Sequence, residues 1–315
     1  MKYPIYLFTG FLEGGKTHII QESLNDQKFN SGEKTLVLMC EEGVDELDPT
    51  QFWGQNVTIQ YIEDESWLTR ENLEGLTRNK KVDRIIIEYN GMWQLSSLYQ
   101  SMPASWDLYQ NMMFADANTF LSYNQNMRQL TVDKLLDCEM IVLNRASEKT
   151  NAIKEEIHKI VRGITRRAAI VYDYLDGHVE YDEIEDPLPF DKEASVIEIA
   201  DEDYAVWYRD LSEELLSYEG KTVKVKGIVA TDPRLPSNSV IVGRHVMTCC
   251  VDDIQYSGLV CVFKNTPKLK MRDWITVKGK IKIEKSKLYR QEGPVLYVES
   301  TEFAVPPKQE VATFY

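Results

Sequence analysis

The chain has 315 residues, a hydrophobic fraction of 43% and a charged fraction of 27%, which are typical of a globular protein with two domains. No apolar run reaches the roughly 18 residues of a membrane span, no secretory signal is visible, and the five cysteines do not form a disulfide pattern. We therefore expect a cytoplasmic protein without membrane insertion. The net charge of −14, carried mainly before residue 219, also disfavours non-specific nucleic-acid binding.

The first half of the chain alternates short β-branched runs with helical patterns. Strands are expected at 3–9, 35–39, 57–62, 84–88, 111–116, 140–144 and 168–172. Helices are expected at 16–24, 132–138 and 150–163. This alternation predicts an α/β fold with a mostly parallel sheet covered on both faces.

The second half of the chain has a different pattern of predicted elements. Residues 176–194 are acidic and contain Pro187 and Pro189, which favours a linker, and 201–218 has the spacing of one amphipathic helix. Strands are then expected at 222–230, 239–251, 258–263, 274–283 and 295–305. Five strands of this length indicate a small all-β, OB-like barrel, with a sandwich as the alternative. The expected domains are 1–180 and 201–315, joined by an acidic linker at 181–200.

The segment from Gly10 to Thr17 fits the phosphate-loop pattern G-x-x-x-x-G-K-[ST] and lies between a predicted strand and a predicted helix. Glycine lets backbone N–H groups approach phosphate oxygens, Lys16 supplies a positive charge, and the Thr17 hydroxyl can bind Mg²⁺. A plain glycine-rich turn is the alternative. The residues expected to contact nucleotide here are Gly10, Gly14, Gly15, Lys16, Thr17 and His18.

Two apolar strands end in carboxylates. Glu41 follows the strand at 35–39, and Glu88 closes the strand at 84–88. Ligands of open α/β sheets gather at the carboxyl ends of strands, and hydrolysis needs an acid near Mg²⁺. We therefore expect Thr17, Glu41 and Glu88 at the magnesium ion and Lys16, Glu41 and Glu88 in catalysis, although each acid alone could be a solvated strand-end carboxylate.

Recognition of the base would involve Asn144, Arg145, Ala146 and Ser147, which stand where a GTPase has N-K-x-D. Asn144 fits that pattern, and the aliphatic part of Arg145 can stack on a base as Lys would. Ser147 cannot accept two hydrogen bonds from guanine as an aspartate does. GTP or GDP is the expected cofactor, and ATP remains an alternative.

These motifs, in this order, resemble those of the CobW/HypB/UreG metal-chaperone GTPases over residues 2–175. The matching pieces are Thr9 to Thr17, Cys40-Glu41-Glu42-Gly43 with Asp48, Ile87 to Gly91, and Asn144-Arg145. The resemblance implies a P-loop fold, GTP hydrolysis and a protein partner in metal handling. The family's C-x-C-C metal motif is missing, because the sequence between Gly43 and Arg84 has no cysteine or histidine.

The C-terminal part resembles an uncharacterised domain of bacterial proteins associated with predicted permeases. The similarity lies in 244–253, in Trp274 and Gly279, and in the end of the chain at Pro306, Pro307 and Tyr315. It implies no activity, and it adds a membrane permease as a candidate partner.

Adjacent Cys249 and Cys250, with His245 before them, raise the hypothesis of a Zn²⁺ or similar site, to which Cys261 could contribute. Successive strand residues point to opposite faces, so both thiols would meet one ion only at a bulge. A pair of cysteines divided between core and surface is the alternative.

Nine basic residues lie between Lys268 and Arg290. Thr276, Lys278, Lys280 and Lys282 would share the outer face of a strand whose inner face is apolar. A solvated face is the simpler interpretation, and nucleic acid is not the expected partner.

The sequence therefore favours a Mg²⁺-dependent NTPase that uses GTP, with a switch-like movement at 41–48 that signals to the C-terminal barrel or to a partner. The alternatives are a nucleotide-binding regulator of low turnover and a metal-binding module built on the C-terminal cysteines.

Overall fold

The computed structural model describes residues 2–78, 81–248, 253–289 and 291–314. The chain divides into two compact units, Met1–Ile184 and Glu185–Tyr315. Within the described ranges, none of the helices has the length and apolar content that crossing a bilayer requires.

Unit 1 is built on a sheet of eight strands. These are β1 (Tyr3–Thr9), β2 (Thr35–Met39), β3 (Val57–Tyr61), β4 (Arg84–Glu88), β5 (Trp106–Asp116), β6 (Met140–Ala146), β7 (Ala169–Tyr174) and β8 (Val179–Tyr181). Their order is β3-β2-β4-β1-β5-β6-β7-β8, and every neighbouring pair is parallel except β7 with β8. The predicted mostly parallel sheet is confirmed.

Helices cover both faces of this sheet. They are α1 (Lys16–Asn25), α2 (Arg70–Arg78), α3 (Leu95–Ser101), α4 (Phe120–Asn126), α5 (Arg128–Leu136) and α6 (Lys154–Ile164). On β4, Ile85 belongs to the same apolar cluster as Leu73 of α2, whereas the next residue, Ile86, clusters with Ile20 of α1. A strand buried on both faces must be apolar throughout, which explains the unbroken run of isoleucines.

Most predicted elements of unit 1 are confirmed with shifted ends, and strands 3–9, 35–39 and 84–88 coincide with β1, β2 and β4. The helix expected at 150–163 is instead a 3₁₀ turn, Glu148–Ala152, followed by α6. The linker expected at 176–194 is wrong near its start, because β8 pairs with Val171–Asp173 of β7. Three helices, α2 to α4, were not predicted.

Unit 2 is a barrel. Its strands are β9 (Ile197–Glu198), β10 (Thr222–Ala230), β11 (Ser239–Val246), β12 (Gln255–Val262), β13 (Trp274–Lys285) and β14 (Glu292–Phe303). They follow the order β11-β12-β14-β13-β10-β9, and β10 also pairs with β11, so the five long strands close on themselves. The expected alternation on β13 is confirmed, since Ile275, Val277 and Ile281 are buried.

The helix that precedes the barrel is shorter than expected. The single helix predicted at 201–218 is wrong. The helix α7 (Tyr204–Glu213) has its C-cap at Glu214, and a 3₁₀ turn, Leu215–Tyr218, follows. Tyr204 and Trp207 of α7 are buried in the core of unit 2. The strand predicted at 239–251 ends at Val246, and residues 249–252 lie outside the described residues.

Candidate functional site

The phosphate loop lies between β1 and α1, where its backbone leaves no room for side chains. Gly10 has φ 123° and Gly15 has φ 91°, a region that side-chain-bearing residues rarely adopt. A Cβ atom on Gly10 would overlap the carbonyl oxygen of Phe114, and one on Gly14 would lie 2.7 Å from the same oxygen. A Cβ atom on Gly15 would overlap the amide of Asn144. The glycines expected to contact nucleotide are thus also required by the packing of the loop against β5 and β6.

Lys16 is buried and fully bonded. Its Nζ donates to the carbonyl oxygens of Gly10 at 2.8 Å and Phe11 at 2.9 Å, and forms an ion pair with Glu41 Oε2 at 2.6 Å. The other carboxylate oxygen of Glu41 accepts a hydrogen bond from the Gly91 N–H at 3.2 Å. Glu41 therefore occupies the end of the lysine that a phosphate group would otherwise contact.

Thr17, the next residue of the loop, contacts Glu88. The Thr17 hydroxyl donates to Glu88 Oε1 at 2.9 Å, while Glu88 Oε2 is buried and has no hydrogen-bond partner among the described residues. Burial raises the pKa of the Glu88 carboxyl to about 6, and the nearby Lys16 ammonium and the Thr17 hydroxyl offset this only in part. A hard cation bound by oxygen ligands would satisfy both the orphaned oxygen and the buried charge, so these residues fit Mg²⁺.

A polar cavity of about 330 Å³ adjoins this region and is lined by Glu42, Asp45 and Glu63, among others. Cys40 also lines it, but burial, together with the nearby Glu88 and Glu41 carboxylates, raises the pKa of the Cys40 thiol well above its ordinary value. Thiolates, not thiols, are metal ligands, so Cys40 does not restore the missing C-x-C-C chemistry. Across the described ranges, no group of three or more His, Cys, Asp or Glu is placed to hold a metal ion.

The base motif at the end of β6 is tied to the phosphate loop. Asn144 Nδ2 donates to Gly14 O at 3.4 Å, and Arg145 Nη1 donates to Glu13 O at 2.7 Å and to Asp116 Oδ2 at 2.9 Å. Arg145 itself has φ 55°, an uncommon value for a residue other than glycine. Sequence reasoning missed Asp116, although its position at the end of β5 follows the same strand-end rule that identified Glu88.

Ser147 serves a local structural role. Its N–H donates to the Thr150 hydroxyl at 2.9 Å, at the start of the 3₁₀ turn Glu148–Ala152. The side chain lines a cavity of about 610 Å³.

Lys134 of α5 also contributes to this region, although nothing in its local sequence predicts such a role. Its fully buried ammonium donates to the carbonyl of Trp93 at 2.6 Å and pairs with Asp133 at 2.8 Å. Asp133 in turn accepts a hydrogen bond from the Leu95 N–H at 3.0 Å. This group positions the loop that follows Glu88 and carries Gly91.

The remaining predicted site residues lie on α1 and in unit 2. His18 is exposed, and its imidazole lies 3.4 Å from the Glu22 carboxylate one turn along α1. His245 is exposed on β11 in unit 2, with its ring 5.5 Å from that of Tyr256. Cys249 and Cys250 lie outside the described residues. Cys261 is buried, and burial raises the pKa of its thiol to about 12.

Comparisons with known proteins match both units. Residues 4–172 match the family model described as CobW/HypB/UreG, nucleotide-binding domain, and residues 177–311 match that of the DUF1980 C-terminal domain. Among curated proteins, none matches the chain.

Solved structures with similarity to the chain include a GTPase and a hydrogenase maturation factor. One is the Zn(II)-bound YjiA GTPase from E. coli, at 17% identity over 88% of this chain and 93% of that chain, with a TM-score of 0.42. Another is the hydrogenase maturation factor HypB from Archaeoglobus fulgidus, at 16% identity over 56% of this chain and 82% of that chain, with a TM-score of 0.38.

A third similar structure is a small single-stranded DNA-binding protein from Streptomyces coelicolor. The identity is 12% over 27% of this chain and 94% of that chain, with a TM-score of 0.20. Because the match over residues 4–172 spans more than half of the sequence and includes the phosphate loop, Glu41 and Glu88, the chain belongs to the CobW/HypB/UreG nucleotide-binding domain family.

Proposed function

We propose that the chain is a Mg²⁺-dependent nucleotide hydrolase that prefers GTP. The observation that carries this proposal is the arrangement around the phosphate loop: Lys16 is buried against Glu41, and Thr17 contacts Glu88, whose second oxygen has no partner. These groups supply a cation for the phosphates and oxygen ligands for a divalent ion within one loop.

In the proposed nucleotide complex, backbone N–H groups at the start of α1 and the Lys16 ammonium hold the β- and γ-phosphate oxygens. Thr17 and the ionised Glu88 would hold Mg²⁺. The bound ion would supply positive charge that offsets the negative charge developing during phosphoryl transfer.

Glu41 links phosphate binding to a movement of the segment that follows it. The cavity at the loop is only about 30 Å³, so Glu41 must leave Lys16 before a phosphate group can enter. At the far end of the segment, Gln21 of α1 exchanges two hydrogen bonds with the backbone of Asp48, at 2.7 and 3.2 Å. Residues 42–46 between these anchors are exposed. We therefore place the nucleotide-dependent switch at 41–48, where a protein partner, such as one in metal handling, would read it.

The test is calorimetric titration of the full chain with GDP and ADP, with and without Mg²⁺. Lys16→Ala should weaken both nucleotides about 100-fold or more, because the buried cation is lost. Thr17→Ala should abolish the gain in affinity that Mg²⁺ gives. Lys28→Ala removes an exposed lysine beyond α1 and serves as the control. Unchanged affinity of the Lys16 variant would refute the proposal.

One observation favours a second candidate, a nucleotide-binding regulator of low turnover. Glu41 closes the phosphate cavity through an ion pair with Lys16 at 2.6 Å, in which neither side chain is more than 9% exposed. GTP turnover by the chain and by a Glu88→Gln variant distinguishes the two. Turnover well above that of the variant supports the hydrolase, and equal rates support the regulator.

A further inference from the structure

A cavity beside Ser147 lies at the ends of β6 and β7, directly after the two residues of β6 that contact the phosphate loop. Ala146, Ser147 and Glu148 line it. Arg145, directly before this stretch, donates to the loop carbonyl of Glu13 at 2.7 Å. The segment whose side chains contact the phosphate loop therefore continues directly into the residues that line the cavity. Its volume of about 610 Å³ is within the range of small-molecule sites.

Aromatic rings also line the cavity. Tyr174 and His178 stack with their ring centroids 4.0 Å apart and their planes at 19°. Leu175, between them in sequence, is 77% exposed and also lines the cavity. Flat and apolar surfaces of this kind favour a planar heterocycle.

A guanine base in this cavity needs a carboxylate, because its N1–H and N2–H₂ groups are adjacent donors that call for two acceptor oxygens. Two of the lining carboxylates are already engaged. Both oxygens of Glu180 accept from Lys154 at 2.7 Å, and the Tyr174 hydroxyl adds a bond at 2.8 Å. Asp176 Oδ1 accepts from the N–H and Nδ1 of His178 at 3.1 Å.

Glu148 is the exception. It is exposed at the first position of the 3₁₀ turn Glu148–Ala152, and its carboxylate makes no hydrogen bond or ion pair with any residue that the structure describes. It also follows Ser147, which stands where the family pattern has the guanine-reading aspartate. A free carboxylate one residue along the chain can take over the acceptor role that the serine hydroxyl cannot fill.

We propose that Glu148 is the guanine-specifying residue of this chain and reads the base from the wall of this cavity. The inference rests on the proposed nucleotide site and adds the residue that sets its base preference. Adenine would present the N1 lone pair to the same carboxylate, so the residue that attracts guanine also repels adenine.

The test exchanges the hydrogen-bonding pattern without changing the size of the side chain. Glu148→Gln keeps one acceptor and gains one donor, which matches xanthine, whose C2 oxygen replaces the guanine amine. Titration of the full chain in Mg²⁺ should show that the variant binds GDP about 10- to 100-fold more weakly and xanthosine diphosphate at least about 10-fold more tightly than the natural chain. A gain for xanthosine diphosphate cannot arise from misfolding.

The matched control is Glu155→Gln, an exposed carboxylate on α6 that does not line the cavity. It should leave the affinities for GDP, ADP and xanthosine diphosphate unchanged. If the natural chain binds GDP and ADP equally, or if Glu148→Gln leaves the ratio of GDP to xanthosine diphosphate affinity unchanged, the role of Glu148 is refuted while the phosphate site stands. If the natural chain binds no nucleotide, both proposals fail.

Discussion

The two ends of the nucleotide site are built in different ways. At the phosphate end, eight consecutive residues form the site, Lys16 is 3% exposed, and added Cβ atoms on Gly10 and Gly15 would overlap neighbouring atoms. At the base end, the cavity walls come from 146–151 and 174–180, and its open carboxylate, Glu148, is exposed. The phosphate end is thus specified by backbone shape, and the base end by side chains that can be exchanged.

The largest expected effect is on the free energy of unfolding, and it compares a glycine at the phosphate end with one at the base end. Gly10→Ala should lower the free energy of unfolding by about 3 kcal/mol or more, because the new Cβ collides with the Phe114 carbonyl. Chemical denaturation of the full chain measures the change, and nucleotide binding should be lost with it.

Gly177, in the turn between β7 and β8 at the base end, is the matched control. It also has a positive φ, 85°, but an added Cβ meets no described atom within 4 Å. Gly177→Ala should therefore cost only the left-handed strain of about 1–2 kcal/mol. Equal losses for the two variants would remove the distinction between a packed phosphate end and an open base end.

A smaller effect is expected at Arg145, which joins the two ends. Arg145→Ala removes the hydrogen bonds to Glu13 O and Asp116 and the aliphatic surface offered to the base. Since these contacts do not distinguish one base from another, affinity for GDP and ADP should fall by the same factor, about 10-fold. Titration of both nucleotides checks this, and a fall for GDP alone would make Arg145 a base-reading residue in place of Glu148.

The phosphate end was the more predictable from sequence. Its motif is contiguous, and the observed ends of β1, which leads into the motif, and of β4, which carries Glu88, are those that the sequence predicts. The expectation that Glu41 and Glu88 lie near the loop followed from a rule about strand ends, and their contacts with Lys16 and Thr17 agree with it.

The base end could not be predicted in the same way, because its contacts join residues that are far apart in sequence. Arg145 bonds to Glu13, 132 positions away, and nothing local in either residue signals the pair. The β7–β8 turn has the acidic and polar composition of a connecting segment, which is why the sequence predicts a linker there. Polar composition indicates only that a segment is exposed to solvent. A linker and a cavity wall at a sheet edge are both exposed, so composition does not distinguish them.

An effect of similar size, but a gain of stability, is expected at the phosphate end. Burial raises the pKa of Glu88 above that of the unfolded chain, from 4.5 to about 6, so ionising this carboxyl destabilises the folded state. The stability that the neutral form provides is complete below about pH 4.5 and is lost as the pH rises through about 6. Glutamine stays neutral at every pH. In a metal-free buffer, Glu88→Gln should therefore raise the free energy of unfolding by about 1–2 kcal/mol at pH 7.5. The gain should be small at pH 5.

Glu148→Gln supplies the comparison from the base end. Its carboxylate is exposed, so the substitution should leave the free energy of unfolding nearly unchanged at both pH values. A pH-independent effect of Glu88→Gln would mean that burial does not penalise this carboxylate. In the proposed site, Glu88 keeps this destabilising charge because only the ionised carboxylate can hold a cation. The proposed base-reading residue, Glu148, is exposed and carries no such cost.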